Sequence, residues 1–216
     1  MNTMALTLEV RNLLNEAAQW HVLELLFQCP SAEWRRRILE LRPECKHEQL
    51  TLAIDIALEI ASEGAYHSIM GPGGPAPARE ASYIDTMQLG YLMSELNAIY
   101  DAFGFHPETF EIVDHVSVQA GFMGFLRLKE AFALSAQQDE QAALVRDCAA
   151  EFLRGHISHI GEPLCAALEA CGYDYLVLAG KVLLSLTGPA EKRVFEILDQ
   201  GTDAWTEDSL EGCGTI

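Results

Sequence analysis

A chain of 216 residues is long enough for one domain or for two small subdomains that share a core. Half of its residues are hydrophobic, which is ordinary for a globular protein, but its formal net charge is −18. This excess of acid argues against a nucleic-acid-binding protein, because little positive charge is left to neutralise phosphates. The same charge would attract a basic peptide, or it would simply keep the protein soluble.

The cysteines and the hydropathy pattern indicate the cellular compartment in which the protein is expected. The N-terminal residues do not follow a signal-peptide pattern, and no apolar run approaches the roughly 20 residues that a membrane helix needs. The six cysteines include no C-x-x-C pair and no zinc-finger spacing. We therefore expect a cytoplasmic protein whose cysteines are free thiols.

Apolar residues recur with a helical period through the first half of the chain. They predict helices over residues 7–28, 31–41, 48–62 and 85–103. Residues 66–82 have no period and are rich in glycine and proline, which predicts a mobile loop. The sequence GFHP at 104–107 then predicts a boundary between an N-terminal subdomain, residues 1–105, and a C-terminal one, residues 106–200.

The second half has the same helical character. Helices are predicted over residues 139–156, from Glu162 and Pro163 to Gly172, and over 173–186 and 189–200, before a flexible acidic tail at 201–216. Because alternation with a period of two is absent, we expect an all-α fold, a compact helical bundle of nine or ten helices in two subdomains.

The stretch from Glu108 to Leu126 is the centre of this organisation. Its polar first part carries Glu108, Glu111 and Asp114, and its second part is an apolar helix. Asp114 is expected as an N-cap or first-turn acid, so that Asp114 and His115 would face a loop that a ligand can reach. If the polar part is helical, the three carboxylates line one side of it, because they are spaced by three residues.

Three blocks in this sequence resemble motifs of one family. DHVSVQAGFMGFL at 114–126 is similar to D-H-x-x-x-E-L-x-F-M-x-x-L, FLRGHISHI at 152–160 is similar to F-x-x-x-H-[LI]-x-x-W, and GPGGPAPAREASY at 71–83 stands where the family has a P-x-x-[EY]-S-x-Y loop. Gln119 and Ala120 replace the Glu-Leu pair, and Ile160 replaces the tryptophan. The family is that of the TorD-like redox-enzyme maturation chaperones, which includes the TorD, DmsD and NarJ branches.

The resemblance implies a function as well as an all-α fold. It implies a cytoplasmic chaperone that binds the twin-arginine signal peptide of a molybdopterin oxidoreductase, its apo-enzyme, or both, before cofactor insertion and export. Either a monomer or a domain-swapped homodimer would fit. On this interpretation the peptide-binding residues are expected to be Asp114, His115, Glu108, Glu111, Glu80, Tyr83 and Gln119.

The alternative is a helical enzyme that depends on a metal or another cofactor. Its best candidate cluster is His156, His159 and Glu162, but a third step of three residues drifts off the helix face, and Pro163 should disrupt the helix. Neither a di-iron motif nor a phosphate-binding loop is recognisable. Asp114 and His115 are adjacent on a helix and would make a poor acid–base pair. We therefore expect no catalytic residue, no metal and no cofactor.

Overall fold

The structure is a computed structural model that describes residues 7–84 and 89–189. In this part the fold is all-α, as predicted, and contains no strand. Helices α7 and α8 are joined through a π-helical turn, Leu153–Ile157, so the described residues form eight separate rods, slightly fewer than the nine or ten predicted. The helices are α1 Leu8–Leu26, α2 Ala32–Leu41, α3 Glu48–Ile60, α4 Glu63–Met70, α5 Leu89–Phe103, α6 Val116–Ser135, α7 Asp139–Phe152, α8 Ser158–Cys171 and α9 Asp174–Thr187.

Polar side chains and a glycine set several helix ends. The hydroxyls of Thr7, Ser31 and Ser62 accept hydrogen bonds from backbone N–H groups in the first turns of α1, α2 and α4. Gly172 ends α8 with a φ of 65°, a left-handed conformation that glycine adopts without strain. These ends agree with the predicted ones to within a few residues, except around Ser62.

Helix α6 lies at the centre of the bundle and packs along α1 and α7. Its N-terminal half, residues 116–124, is buried on every side. The close approach to α1 depends on two glycines, because a Cβ atom at Gly124 would lie 2.9 Å from the His21 ring and one at Gly121 would lie 3.0 Å from the Glu24 carboxyl carbon. Around this axis, α8 and α3 pack on α9.

Aromatic rings form the part of the core nearest the start of α6. The ring of Phe122 lies 4.8 Å from those of Tyr100 and Phe152 and 5.2 Å from that of Phe105, between centroids. These residues come from α5, α6, α7 and the segment after α5, so the cluster joins elements that are distant in sequence. Each such ring pair adds about 0.5–1.5 kcal/mol to the free energy gained from burial.

Two expectations were wrong, the start of the loop at residue 66 and the place of Asp114 at the N-cap or first turn of the central helix. Residues 66–70 are not loop but part of α4, which Ser62 caps. The polar part of the central stretch is not helical, and α6 begins only at Val116, with His115 as its N-cap. The reason is that residues 113 and 114 form a turn, closed by the backbone N–H of His115 on the Ile112 carbonyl, and that the Asp114 carbonyl accepts from the backbone N–H of Glu80 while Val116 N–H donates to the Ala78 carbonyl.

The predicted helix start at Pro163 was also wrong, because Pro163 lies inside α8. An internal proline costs about 3 kcal/mol in an isolated helix. Here the buried residues on both sides of it, Gly161 and Leu164, belong to the part of α8 that packs on α9, and this packing keeps the chain helical.

Other expectations remain predictions. The boundary between two subdomains near residue 105 is one of them, and a single core cluster draws its residues from both sides of it. The predicted helix over 189–200 and the tail at 201–216 lie outside the described residues, apart from Pro189. Within the described part, no helix is both long enough and apolar enough to cross a membrane.

Candidate functional site

The three sequence blocks meet at the carboxylate of Glu80, which is fully buried. Gln119, at the start of α6, donates from Nε2 to Glu80 Oε2 over 2.5 Å. His156, in the π-helical turn, places Nδ1 3.3 Å from both carboxylate oxygens. His159, one turn later, places Nδ1 3.6 Å from Oε1. The loop before α5, the central helix and the α7–α8 junction are therefore held together by one acidic side chain.

Burial and hydrogen bonding act on the Glu80 carboxyl in opposite directions. Burial raises its pKa, but the hydrogen bond from His156, the nearby His159 ring, the charge of His156 and the hydrogen bond from Gln119 outweigh burial and hold the pKa below the usual value. The group is therefore ionised at neutral pH. A buried carboxylate of this kind is stable only while its donors stay in place.

Asp114 forms a second buried contact beside the first. Its carboxylate is fully buried and accepts from Arg79 Nε at 2.9 and 3.2 Å and from the backbone N–H of Ala81 at 3.3 Å. The backbones of Arg79 and His115 also pair as an isolated antiparallel bridge, so the main chain holds the loop and the start of α6 in the same register as the side chains do. Asp114 thus ties the loop to the start of α6 and does not cap the helix.

His115 continues the network toward α4. Its Nδ1 accepts from the Ser117 backbone N–H at 3.2 Å and lies 2.7 Å from the Ser117 hydroxyl, which leaves the proton on Nε2. Nε2 lies 3.2 Å from the hydroxyl of Tyr66, and that hydroxyl donates to Glu111 Oε1 at 3.1 Å. Burial and the nearby charge of Arg79 lower the pKa of His115 to about 3, so the ring is neutral.

The expectation that Asp114 and His115 face an open loop was therefore wrong. Both side chains are buried, as are Glu80 and Gln119, because each is used to join the loop to α6. Tyr83 is also not an exposed anchor: it is half-buried against the core, and its hydroxyl donates to the Pro77 carbonyl over 2.6 Å. Tyr83 therefore seals the core before α5.

The surface beside this buried network is formed by residues 106–113, which we call the 106–113 segment. Phe110 is fully exposed, and Ile112 is 43% exposed. Glu108 is exposed next to them, and Glu111 is half-buried because it accepts from Tyr66. Carboxylates and apolar side chains therefore alternate along one short exposed stretch.

Sequence reasoning missed several of these residues. Arg79 had a usable signal, because it is the only lysine or arginine within residues 66–82 and could pair with a nearby carboxylate. Phe110 and Ile112 had none, since apolar residues before a buried helix are normally read as part of it. Tyr66 was assigned to the loop, and its position on α4 became clear only from the tertiary structure.

The histidines at the α7–α8 junction have a different partner from the one considered. His156 and His159 do share a face, but both point at Glu80, whereas Glu162 is exposed. His156 also packs on Phe152, with ring centroids 5.0 Å apart. The geometry is that of two imidazole rings beside one structural carboxylate.

The family model described as "Nitrate reductase delta subunit" matches residues 47–166, which is more than half of the chain and covers all three blocks. No curated protein matches the chain. The family consists of molybdoenzyme maturation chaperones and not of catalysts. The chain belongs to the nitrate reductase delta subunit family, the NarJ/TorD-like redox-enzyme maturation chaperones.

Proposed function

We propose that this protein is a cytoplasmic chaperone that binds the twin-arginine signal peptide of a molybdopterin oxidoreductase catalytic subunit and holds the apo-enzyme until its cofactor is inserted. The observation that carries the proposal is the 106–113 segment, in which Phe110 and Ile112 are exposed between carboxylates. Two exposed apolar side chains two residues apart, with carboxylates beside them, offer a partner apolar area to bury.

The chemistry of such a leader fits this surface. A paired arginine can form charge-assisted, two-point hydrogen bonds with carboxylates such as Glu108 and Glu111. The apolar stretch that follows the arginines can pack on Phe110 and Ile112. Most of the binding free energy should come from this apolar contact, at roughly 25 cal/mol per Å² before ordering costs, since an exposed ion pair contributes only about 0.2–1 kcal/mol.

In this proposal the buried residues support the binding surface and do not contact the peptide themselves. Asp114, His115, Glu80 and Gln119 fix the loop and the start of α6, and Tyr83 closes the loop over the core. These contacts give the 106–113 segment a rigid base. Their contribution to binding is therefore the position of the segment, because rigid presentation lowers the entropy lost on association.

The test of the apolar contact is a binding measurement with a labelled synthetic leader peptide. The double variant Phe110→Ala with Ile112→Ala should weaken binding at least tenfold. The matched control is Phe132→Ala, which truncates a ring of the same size that is 73% exposed on α6 and should leave affinity unchanged. Equal affinity of the double variant and the wild type would contradict the proposed surface.

The test of the charged contact uses the rate of association. Glu108→Gln with Glu111→Gln should slow it, and Glu59→Gln with Glu95→Gln, which removes two exposed carboxylates elsewhere, should slow it less. Added salt should slow the wild type markedly, since the Debye length is about 8 Å at physiological strength. A peptide with lysines for the arginines should bind more weakly. If salt, the Glu108 and Glu111 substitutions and the lysine peptide all leave binding unchanged, the charged contact is excluded and only the apolar contact remains.

The client class has its own test. Affinity purification of the wild type from its native cytoplasm should recover a large molybdoenzyme subunit, and the Phe110→Ala/Ile112→Ala variant should recover less of it. Recovery of that subunit by the variant at the wild-type level would show that the client is held elsewhere.

A further inference from the structure

A second group of side chains lies on the exposed face of α4 and in the turn after α1, and it belongs to none of the three sequence blocks. Cys29, in the turn after α1, places its Sγ 3.8 Å from Nε2 of His67. Glu63, one turn before His67 on α4, places its Oε1 3.7 Å from the same nitrogen. The three donor atoms all lie within 4.8 Å of one another.

These distances are close to those that a tetrahedral ion would impose. With metal–donor bonds of about 2.0–2.3 Å, neighbouring donors in a tetrahedral zinc site lie roughly 3.3–3.6 Å apart. Small rotations of the Cys29, Glu63 and His67 side chains would therefore close the group without backbone movement. Glu63 and His67 are spaced by four residues on one helix, so the helix itself keeps them on one face.

The choice of ion follows from the donors. A thiolate, an imidazole and a carboxylate together suit a borderline divalent ion such as Zn²⁺, whereas Ca²⁺ and Mg²⁺ prefer oxygen donors alone. We propose that Cys29, Glu63 and His67 bind a divalent zinc-type cation, with solvent completing the coordination.

The electrostatics around the group favour a cation. Burial and the negative charges of Glu63 and Glu111 raise the pKa of the Cys29 thiol, so the thiol is protonated when no cation is present. A bound divalent ion would compensate both carboxylates and displace the thiol proton into solvent. Glu63 and His67 are exposed, so an ion can reach the donors directly.

The position of the group connects it to the rest of the molecule. Tyr66 lies next to His67 on α4, with its ring 5.3 Å from the imidazole, and its hydroxyl contacts Glu111 and His115. An ion bound here would tie the turn after α1 to α4 and so support the base of the 106–113 segment. The cation site itself stands independently of the proposed peptide binding, because it rests on different residues.

Sequence reasoning assigned no metal because these donors do not form a local motif. Cys29 lies 34 residues before Glu63, and a cysteine without a neighbouring cysteine or histidine is usually a small apolar side chain. Only the packing of the turn after α1 against α4 brings them together.

The test uses Co²⁺ as a spectroscopic probe on the full chain, reduced and freed of metals with a chelator. The wild type should bind one equivalent, with a thiolate-to-cobalt charge-transfer band and visible bands typical of four coordination, and Zn²⁺ should displace it. Cys29→Ser should lose the charge-transfer band, and His67→Gln and Glu63→Gln should each weaken binding at least tenfold.

The matched control is Cys148→Ser, which removes another half-buried thiol outside the group and should leave the spectrum and the stoichiometry unchanged. Unfolding curves in chelator, expected to coincide for Cys29→Ser and the wild type, separate loss of the site from loss of the fold. The proposal is overturned by a wild type without the charge-transfer band, by a Cys29→Ser variant that keeps it, or by a Cys148→Ser variant that loses it.

Discussion

Two neighbouring parts of one sequence stretch have opposite environments. The 106–113 segment presents Phe110 fully to solvent, whereas residues 114–124 immediately after it are buried without exception, including Phe122 and the charged Asp114. The residues that match the family motif lie in the buried part. The motif therefore describes how the scaffold is built, and the surface that we propose for the client lies beside it.

Because of this difference in burial, substitutions in the two parts should affect different quantities, the free energy of unfolding in one and the affinity for the peptide in the other. Substitutions in the buried network should change the free energy of unfolding, because each of its charges depends on donors from other elements. Substitutions on the 106–113 segment should change affinity alone, because its exposed side chains gain little from folding. Measurements of both quantities on the same variants can therefore confirm or contradict the comparison.

The largest effect on stability is expected from Glu80→Gln. This change keeps the shape of the side chain but removes the charge that accepts from Gln119 and lies beside the rings of His156 and His159, at 3.3 and 3.6 Å from their Nδ1 atoms. Breaking a buried ionic contact on one side costs about 3–5 kcal/mol, so urea unfolding monitored by circular dichroism should show a loss of about 3 kcal/mol.

The control for Glu80→Gln is Glu95→Gln, the same chemical change at an exposed position of α5. It should alter the free energy of unfolding by less than about 0.5 kcal/mol. If the two variants unfold alike, Glu80 does not hold the three blocks together.

A smaller effect concerns pH and His115. Its folded-state pKa is lowered to about 3, whereas an unfolded histidine titrates near about 6.5. As the pH falls below about 6.5, His115 binds a proton in the unfolded state but stays neutral in the folded state. The free energy of unfolding is therefore higher at neutral pH and decreases on acidification. From about pH 7.5 to about pH 5.5 this contributes a loss of about 1.4 kcal/mol.

His115→Asn tests this contribution, because asparagine is a good N-cap but does not titrate. The loss of stability between the two pH values should shrink by about 1.4 kcal/mol in this variant, measured by urea unfolding at each pH. His106→Asn changes an exposed histidine and should keep the wild-type pH dependence. An unchanged pH dependence in His115→Asn would mean that the ring is not neutral in the folded state.

The smallest effect on stability is expected from Phe110→Ala. Since the ring is fully exposed, its removal should change the free energy of unfolding by less than about 0.5 kcal/mol, as should Phe132→Ala on α6. Only Phe110→Ala should reduce affinity for the leader peptide. A loss of several kcal/mol in Phe110→Ala would mean that the ring is part of the core, as in a large-to-small core substitution.

The sequence by itself determined the all-α class, the approximate ends of most helices and the family. Helical periodicity and capping residues such as Thr7 and Ser31 act within a few residues of one another, so they can be read locally. The motif blocks likewise identified Asp114, His115, Glu80 and Gln119 as a related set, although not how they are related.

Only the tertiary structure decided which of these residues face solvent. Glu80 is buried because His156, His159 and Gln119 reach it from two other parts of the chain, and Asp114 is buried because Arg79 pairs with it across a short bridge. A polar residue in a sequence is expected at the surface unless distant donors satisfy it. Such donors cannot be located from local patterns, and for the same reason the group of Cys29, Glu63 and His67 emerged only when α4 was placed against the turn after α1.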